Sequence, residues 1–322
     1  MGYTKRELRV GFLTPAFLGN AEQSGQWRTP PFKHLLREWW RVAWAAKNDP
    51  ANWKKMREVE APLFGHAWWK GDKDKNGRSV SVRKSRVLLR IAPWDRGSMN
   101  AMPVTKPAAE RAPQSAKYLA YGPEGELNEK PAISEGIHSE LQLAWPDGMA
   151  GTEHLEETMK LIQAFGTLGG RSRNGWGSLW LDEIEGLPDV NVFTRPWKDC
   201  LALEWAHAIG RDETAPLIWT TGEPVREWTA VIESLAAIRK AVNAAMDGGA
   251  RKVLNQPVAG RGGRVPSSLR FKVRRVQGGL QGVIFHMPCT PPDLARHSRK
   301  NVLDAWQQTH ELLDGQFRRS SV

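Results

Sequence analysis

Between residues 8 and 184 the hydrophobic period of the chain switches in a set order, and that order restricts the fold more than any single motif. Leu8-Arg9-Val10-Gly11-Phe12-Leu13 alternates with period two, as a half-buried strand does. Thr29-Pro30-Pro31 then opens a helix expected to reach about Lys47, with Thr29 as N-cap, proline in the first turn and Asn48-Asp49-Pro50 as the stop. Phe32, Leu36, Trp39 and Ala43 fall on its buried face. Val87 to Ile91 reads as a strand, and Ile137, Ser139, Leu141, Leu143 and Trp145 line one side of another. Thr152 is placed to cap a second helix, with Glu153, Glu156 and Glu157 at the positive end of its dipole and Leu155, Met159, Ile162 and Phe165 as its apolar stripe. Ser178 to Leu181 follows as a strand. The result, roughly β-α-(β)-β-α-β, is the ferredoxin-like order shared by RNA-recognition domains.

The joint between the second helix and the last strand is the run from Phe165 to Ser178. It holds Gly166, Gly169, Gly170, Gly175 and Gly177 with Arg171, Ser172, Arg173 and Asn174. Glycine permits positive φ and close approach of another backbone. Successive turn residues can aim several N–H groups at one point, which makes a concavity for an anion, and two guanidinium forks suit phosphate. The same residues also describe a glycine-rich turn carrying two solvated arginines. Both readings stand on sequence alone.

The first helix carries Lys33, Arg37 and Arg41 at i, i+4 and i+8, with Arg28 just before it and Trp40 and Trp44 beside the stripe. Cations interleaved with flat rings hold single strands without sequence choice; a solvated basic face is the plainer account. Charge supports the first. The chain of 322 residues has net charge +11, divided as +11, −6 and +6 over residues 1–100, 101–200 and 201–322, a basic concentration of the kind found in nucleic-acid binders. Its 16 tryptophans against 3 tyrosines provide rings for a core and for stacking.

Past a polar linker near 186–195, Leu201 to Trp205 is expected as a strand and Pro224 to Met246 as a helix stopped by Gly248-Gly249. Ala259 to Arg264 is a second glycine–arginine loop. Leu269, Phe271 and Val273 alternate with Arg270, Lys272 and Arg274, giving one apolar and one cationic face; Gly278-Gly279 turns the chain, Val283 to Met287 returns, and Pro292 to Leu313 is a last helix. The chain therefore divides into residues 1–190 and a smaller α+β domain over 191–322, without a repeat detectable in the sequence. Residues 93–131 show little periodicity and read as an inserted loop region.

Little points to catalysis. His34 is the residue that suits a general base activating a ribose 2′-OH, but such a reaction also needs an acid or cation at the leaving oxygen, and no second proton-transfer group is placed with it. The other histidines are scattered without metal-ligand spacing, and no phosphate loop or dinucleotide fingerprint is present. A non-enzyme without metal or cofactor is expected. Cys200 and Cys289 do not form a disulfide framework. No apolar run approaches a membrane span, and the charged start has no signal-peptide core, so a cytoplasmic protein without membrane contact is expected.

Three stretches together resemble one family: Thr14-Pro15-Ala16-Phe17-Leu18-Gly19, Arg28 through Arg41, and Phe165-Gly166 through Gly177. They resemble the RAMP superfamily of CRISPR effector proteins. The helix segment Leu36-Arg37-Glu38-Trp39-Trp40-Arg41 is similar to that of the first RAMP subunit of type III-B (Cmr) interference complexes, and Leu63-Phe64-Gly65 falls where that subunit usually has such a motif. The resemblance implies two ferredoxin-like, RRM-like domains. It implies a non-catalytic subunit at the head of a ribonucleoprotein, bound to other RAMP subunits, with CRISPR RNA and target RNA held near the 3′ end of the CRISPR RNA. Arg28, Lys33, His34, Arg37, Trp40, Arg41 and the loop residues Gly169 to Asn174, Gly175 and Gly177 are then the RNA-binding set. The alternative within the superfamily is a metal-independent endoribonuclease that processes CRISPR RNA with His34 as general base.

Overall fold

Alternation in the first strand, β1 (Tyr3–Phe12), buries Leu8, Val10 and Phe12 and leaves Lys5, Glu7 and Arg9 on the other side. The computed structural model describes residues 2–19, 25–67, 73, 76–92, 119, 132–182, 184–246, 254, 267–290 and 299–320. The 93–131 insertion, apart from Leu119, the Ala259 to Arg264 loop and the expected start of the last helix at Pro292 lie outside these residues.

After β1 come α1 (Thr29–Lys47) and α2 (Trp53–Phe64), a short antiparallel pair β2 (His66–Ala67) and β3 (Val82–Arg83), then β4 (Leu88–Ala92) and β5 (His138–Pro146). A 3-10 turn, Thr152–His154, leads into α3 (Leu155–Phe165), and β6 (Leu179–Leu181) completes an antiparallel sheet in the order β4-β5-β1-β6. Thr152 starts this 3-10 turn rather than capping an α-helix: its hydroxyl donates to Met149 O, and Glu153 takes the Gly151 N–H.

The second half repeats the plan. A parallel pair, β7 (Thr194–Pro196) and β8 (Ile209–Arg211), flanks the one-turn helix α4 (Trp197–Cys200). Then β9 (Ile218–Thr220), α5 (Trp228–Ala245), β10 (Leu269–Val276), β11 (Gly279–His286), α6 (Arg299–Gln316) and β12 (Arg318–Arg319) follow, with sheet order β10-β11-β9-β12. Strand for strand this is the order of the first sheet, so the ferredoxin-like unit occurs twice.

Three sequence expectations need correcting here. Leu201 to Trp205 forms turns, because Thr290 donates from its hydroxyl to Leu201 O and from its N–H to Leu203 O, and among the described residues no strand pairs with it. The opening strand of the second unit is β9. Helix α5 begins at Trp228, not Pro224, since Val225 pairs with Leu280 instead. The hairpin residues between β10 and β11 are Gln277 and Gly278, with Gly278 at φ 89°.

How the units meet decides which surfaces remain open. One face of the second sheet, with Leu269, Phe271, Val273 and Ile284, packs on α5 and α6. The other face covers α1 and α3 of the first unit: the Phe285 ring sits 4.9 Å from Phe165 and 6.3 Å from Trp39. The cationic face of β10 therefore lies in this seam rather than in solvent. Arg270 pairs with Glu38 at 2.8 Å. Lys272, fully buried, donates to the carbonyls of Ile162, Gly166 and Leu179 at 3.1, 2.9 and 2.9 Å.

RNA-recognition sheets stack bases on aromatic rings of an exposed sheet face. The second sheet has no such face free. On the first, β1 and β5 present Lys5, Glu7, Arg9, His138, Glu140 and Gln142, with the single phenol ring Tyr3 at the far end. Trp180 of β6, opposite Gly11, is the other ring on this side, and the excess of positive charge lies elsewhere, along α1.

Candidate nucleic-acid interface

The polar arc of α1 faces two neighbours. Arg28, extended at φ −151°, is the N-cap; it makes no side-chain cap, and Thr29 is already helical, which corrects its expected role. On the α2 side Glu60 is completely buried and accepts from three guanidinium groups: Arg37 Nε at 2.7 Å, Arg41 Nε at 2.5 Å and Arg57 Nη1 at 3.1 Å. Burial alone would raise its pKa, but the hydrogen bonds and charges of Arg37 and Arg41 hold it below the usual carboxylate range. One carboxylate does not balance three arginines. The surplus is felt at Lys33, whose pKa is lowered by burial and by the Arg37 charge.

The other side of the arc meets the glycine-rich loop and the second sheet. Glu38 accepts from Arg270; although burial opposes it, Arg270, then Arg173 and His34, keep its pKa low. Arg173 donates from Nη1 to Ser267 O at 3.2 Å, and burial together with the Arg270 charge pushes its pKa down to about 10. Burial raises the nearby Cys289 thiol, which keeps it in the thiol form, a poor nucleophile. The helix and the loop do converge, then, and they meet at Glu38, Arg173 and Arg270.

Two expected contributions are overturned by packing. Trp40 is in the core: its indole N–H donates to Gly151 O at 2.7 Å, its ring is edge-on to Phe64 and His154, and no face is left for a base. Trp44 is buried too; among the described residues Trp53 is the exposed tryptophan. The loop amides are likewise engaged within the protein. The N–H groups of Gly170, Asn174, Gly175 and Gly177 donate to the carbonyls of Phe17, Arg171, Ser172 and Pro15. A Cβ at Gly177 would sit 1.8 Å from Leu168 O, and one at Gly169 2.8 Å from Phe17 O. These glycines let three backbone segments pack together, and the four N–H groups named are spent within the protein rather than offered to an anion. Asn174 ties the loop outward, donating to Leu119 O and accepting from Arg239.

The family profile "RAMPs: RAMP superfamily" matches residues 12–180, more than half of the chain. The chain belongs to the RAMP superfamily. Among solved structures this RAMP protein is similar to Cmr1 from Pyrococcus furiosus in the apo form, at 16% identity, covering 91% of this chain and 90% of that one, with a TM-score of 0.48. It is also similar to a chain in the cryo-EM structure of the Type III-B Cmr-beta bound to cognate target RNA, at 12% identity over 93% and 98% of the two chains, with a TM-score of 0.49. A search of curated protein sequences finds no match.

In this RAMP protein the sequence-derived set thus splits. Arg28, Lys33, His34, Arg37, Arg41 and Arg173 belong to the α1 edge and the seam beside it, Trp40 is structural, and Gly169, Gly170, Asn174, Gly175 and Gly177 shape the loop. Arg171, at φ 59°, and Ser172 sit half-buried on its turn. Glu38, Arg57, Glu60 and Arg270 were not foreseen as part of the site. Arg57 and Glu60 are three residues apart on α2, but the other partners, Arg37 and Arg41 for Glu60 and Arg270 for Glu38, are distant in sequence, and only the alternation of Arg270 with apolar neighbours marked one of the four. Among the described residues no helix is long and apolar enough to cross a membrane, and no group of His, Cys, Asp and Glu is arranged to hold a metal ion.

Proposed function

We propose that this RAMP protein is a non-catalytic RNA-binding subunit of a type III-B CRISPR RNA-guided interference complex in the cytoplasm, working beside other RAMP subunits. In this reading it holds CRISPR RNA, target RNA or both near the 3′ end of the CRISPR RNA. The observation that carries the proposal is the imbalance along α1: among the described residues, Arg28, Lys33, Arg37, Arg41, Arg57, Arg173 and Arg270 are answered by two carboxylates, Glu38 and Glu60. Guanidinium groups held in place by the buried Glu60 and the half-buried Glu38 are pre-oriented for phosphate oxygens. The sequence similarity of Leu36 to Arg41 supports the choice of subunit.

Arg28 and Lys33 make no ion pair among the described residues, so they can be neutralised without disturbing Glu60. Fluorescence anisotropy of an Arg28→Gln/Lys33→Gln variant with a labelled single-stranded RNA tests the reading. Each lost phosphate contact lowers the slope of log K against log salt by about 0.7. The expected result is a fall in slope of about 1.4 with an unaltered melting temperature. A slope and affinity equal to the parent's contradict the proposal.

A further inference from the structure

On the far side of the first sheet from α1, an open cleft of about 820 Å³ lies between β1 and β6 of one unit and the β10–β11 hairpin and start of α5 of the other. Its floor is built around Trp180. A Cβ at Gly11 would stand 2.7 Å from that indole, so the glycine lets the ring lie flat on the sheet. The exposed Arg275 guanidinium covers the ring at 5.1 Å from its centroid. The cleft is also lined by Arg9, which hydrogen-bonds the His138 ring at 2.7 Å, by Arg226, and by Glu135, Asp182 and Glu227.

The charges here balance, unlike those along α1. A neutral cleft has no preference for a phosphate chain, but donors and acceptors around a flat cationic plate match the edge and the face of a heteroaromatic ring. We infer that this cleft takes one unpaired nucleobase of single-stranded RNA, stacked on Arg275 above Trp180, with its edge read by the surrounding arginines and carboxylates. The inference rests on the RNA-binding reading for its ligand but uses a different surface and a different force.

The test compares the full chain with its Arg275→Ala and Arg275→Lys variants, using a short oligouridylate and an abasic ribose-phosphate oligomer of equal length. Arg275 is exposed, so both variants fold. Loss of one base-stacking plane is worth about tenfold in affinity. Both variants are expected to bind oligouridylate about tenfold more weakly and the abasic oligomer as the parent does, because lysine keeps the charge and loses the plane. Parental affinity for oligouridylate in both variants overturns the inference, as does an equal loss on the abasic oligomer, or recovery with lysine, each of which marks a phosphate contact. RNA binding left intact while Arg275→Ala blocks association with a neighbouring subunit also overturns it in favour of a protein-docking cleft. Should the parent bind neither oligomer, the α1 proposal fails by itself. The cleft is then assayed with uridine monophosphate by the NMR shift of the Trp180 indole, where no shift overturns the inference.

Discussion

Replacing Lys272 with methionine should uncouple the two ferredoxin-like units more than any other single change. The Nζ gives all three of its protons to Ile162, Gly166 and Leu179, closing the C-terminal end of α3 and the start of β6 from across the seam. Burial and the adjacent Arg274 charge pull its pKa well below the ordinary lysine value, and the three acceptors offset that by favouring the charged form. Methionine keeps the stem's volume but leaves the carbonyls. Ile162 O retains the Gly166 N–H at 2.7 Å, whereas Gly166 O keeps only a long 3.4 Å contact from Leu179 N. Two poorly satisfied buried carbonyls cost about 1–3 kcal/mol each, and the relieved ammonium desolvation returns part of this. A net loss of about 3 kcal/mol is expected, which in a chain of this size is a fall of about 4 °C in melting temperature. Thermal unfolding followed by circular dichroism measures it, and limited proteolysis should show earlier cutting between the units. A melting temperature within about 1 °C of the parent would refute the reasoning that the cationic face of β10 is a structural dock.

Trp40→Phe should lose about 2 kcal/mol by deleting the hydrogen bond to Gly151 O and some core volume, while RNA affinity measured below the transition stays at the parental value; a selective loss of affinity would mean that the ring reaches RNA after all. Acid should destabilise the protein early. Burial and the Arg319 charge hold His310 at about 3, and burial holds its partner His286, 3.0 Å away, well below 6.5. The native state therefore refuses protons that the unfolded chain accepts, so stability is complete above pH 6.5 and falls as pH drops below it. At pH 5 the loss is about 2 kcal/mol per histidine, and a pH series of denaturant midpoints that stays flat from 7 to 5 would contradict the burial of this pair. His34→Ala and parent are both expected to leave a labelled CRISPR-repeat RNA intact in EDTA; specific cleavage by the parent that vanishes in the variant would make the chain a nuclease.

The first unit was legible because each of its long strands buries one side only, so Leu8 to Phe12 and Ile137 to Trp145 print their alternation directly. The second unit was not. Ile218–Thr220 and Arg318–Arg319 are three- and two-residue strands, too short to show a period, and Leu201 to Trp205 alternates yet finds only Thr290 beside it. Sequence marked the cationic stripes on α1 and β10 but not what each would face. Trp40 lies one helical row from Lys33, and only the arrival of Phe64 and Gly151 puts it in the core. The glycines were likewise visible as freedom of the backbone; that Gly170 and Gly177 donate to Phe17 and Pro15 is long-range information no local pattern holds.

Photo-crosslinking of the full chain to a 4-thiouridine-bearing single-stranded RNA, with peptide mapping by mass spectrometry, addresses the α1 assignment most directly. The account predicts crosslinks to peptides carrying residues 28–41 and 171–173, together on one side of the molecule. Crosslinks confined to the exposed face of the first sheet, at Tyr3, Lys5 and Arg90, would contradict it and restore the sheet-stacking mode of RNA-recognition domains.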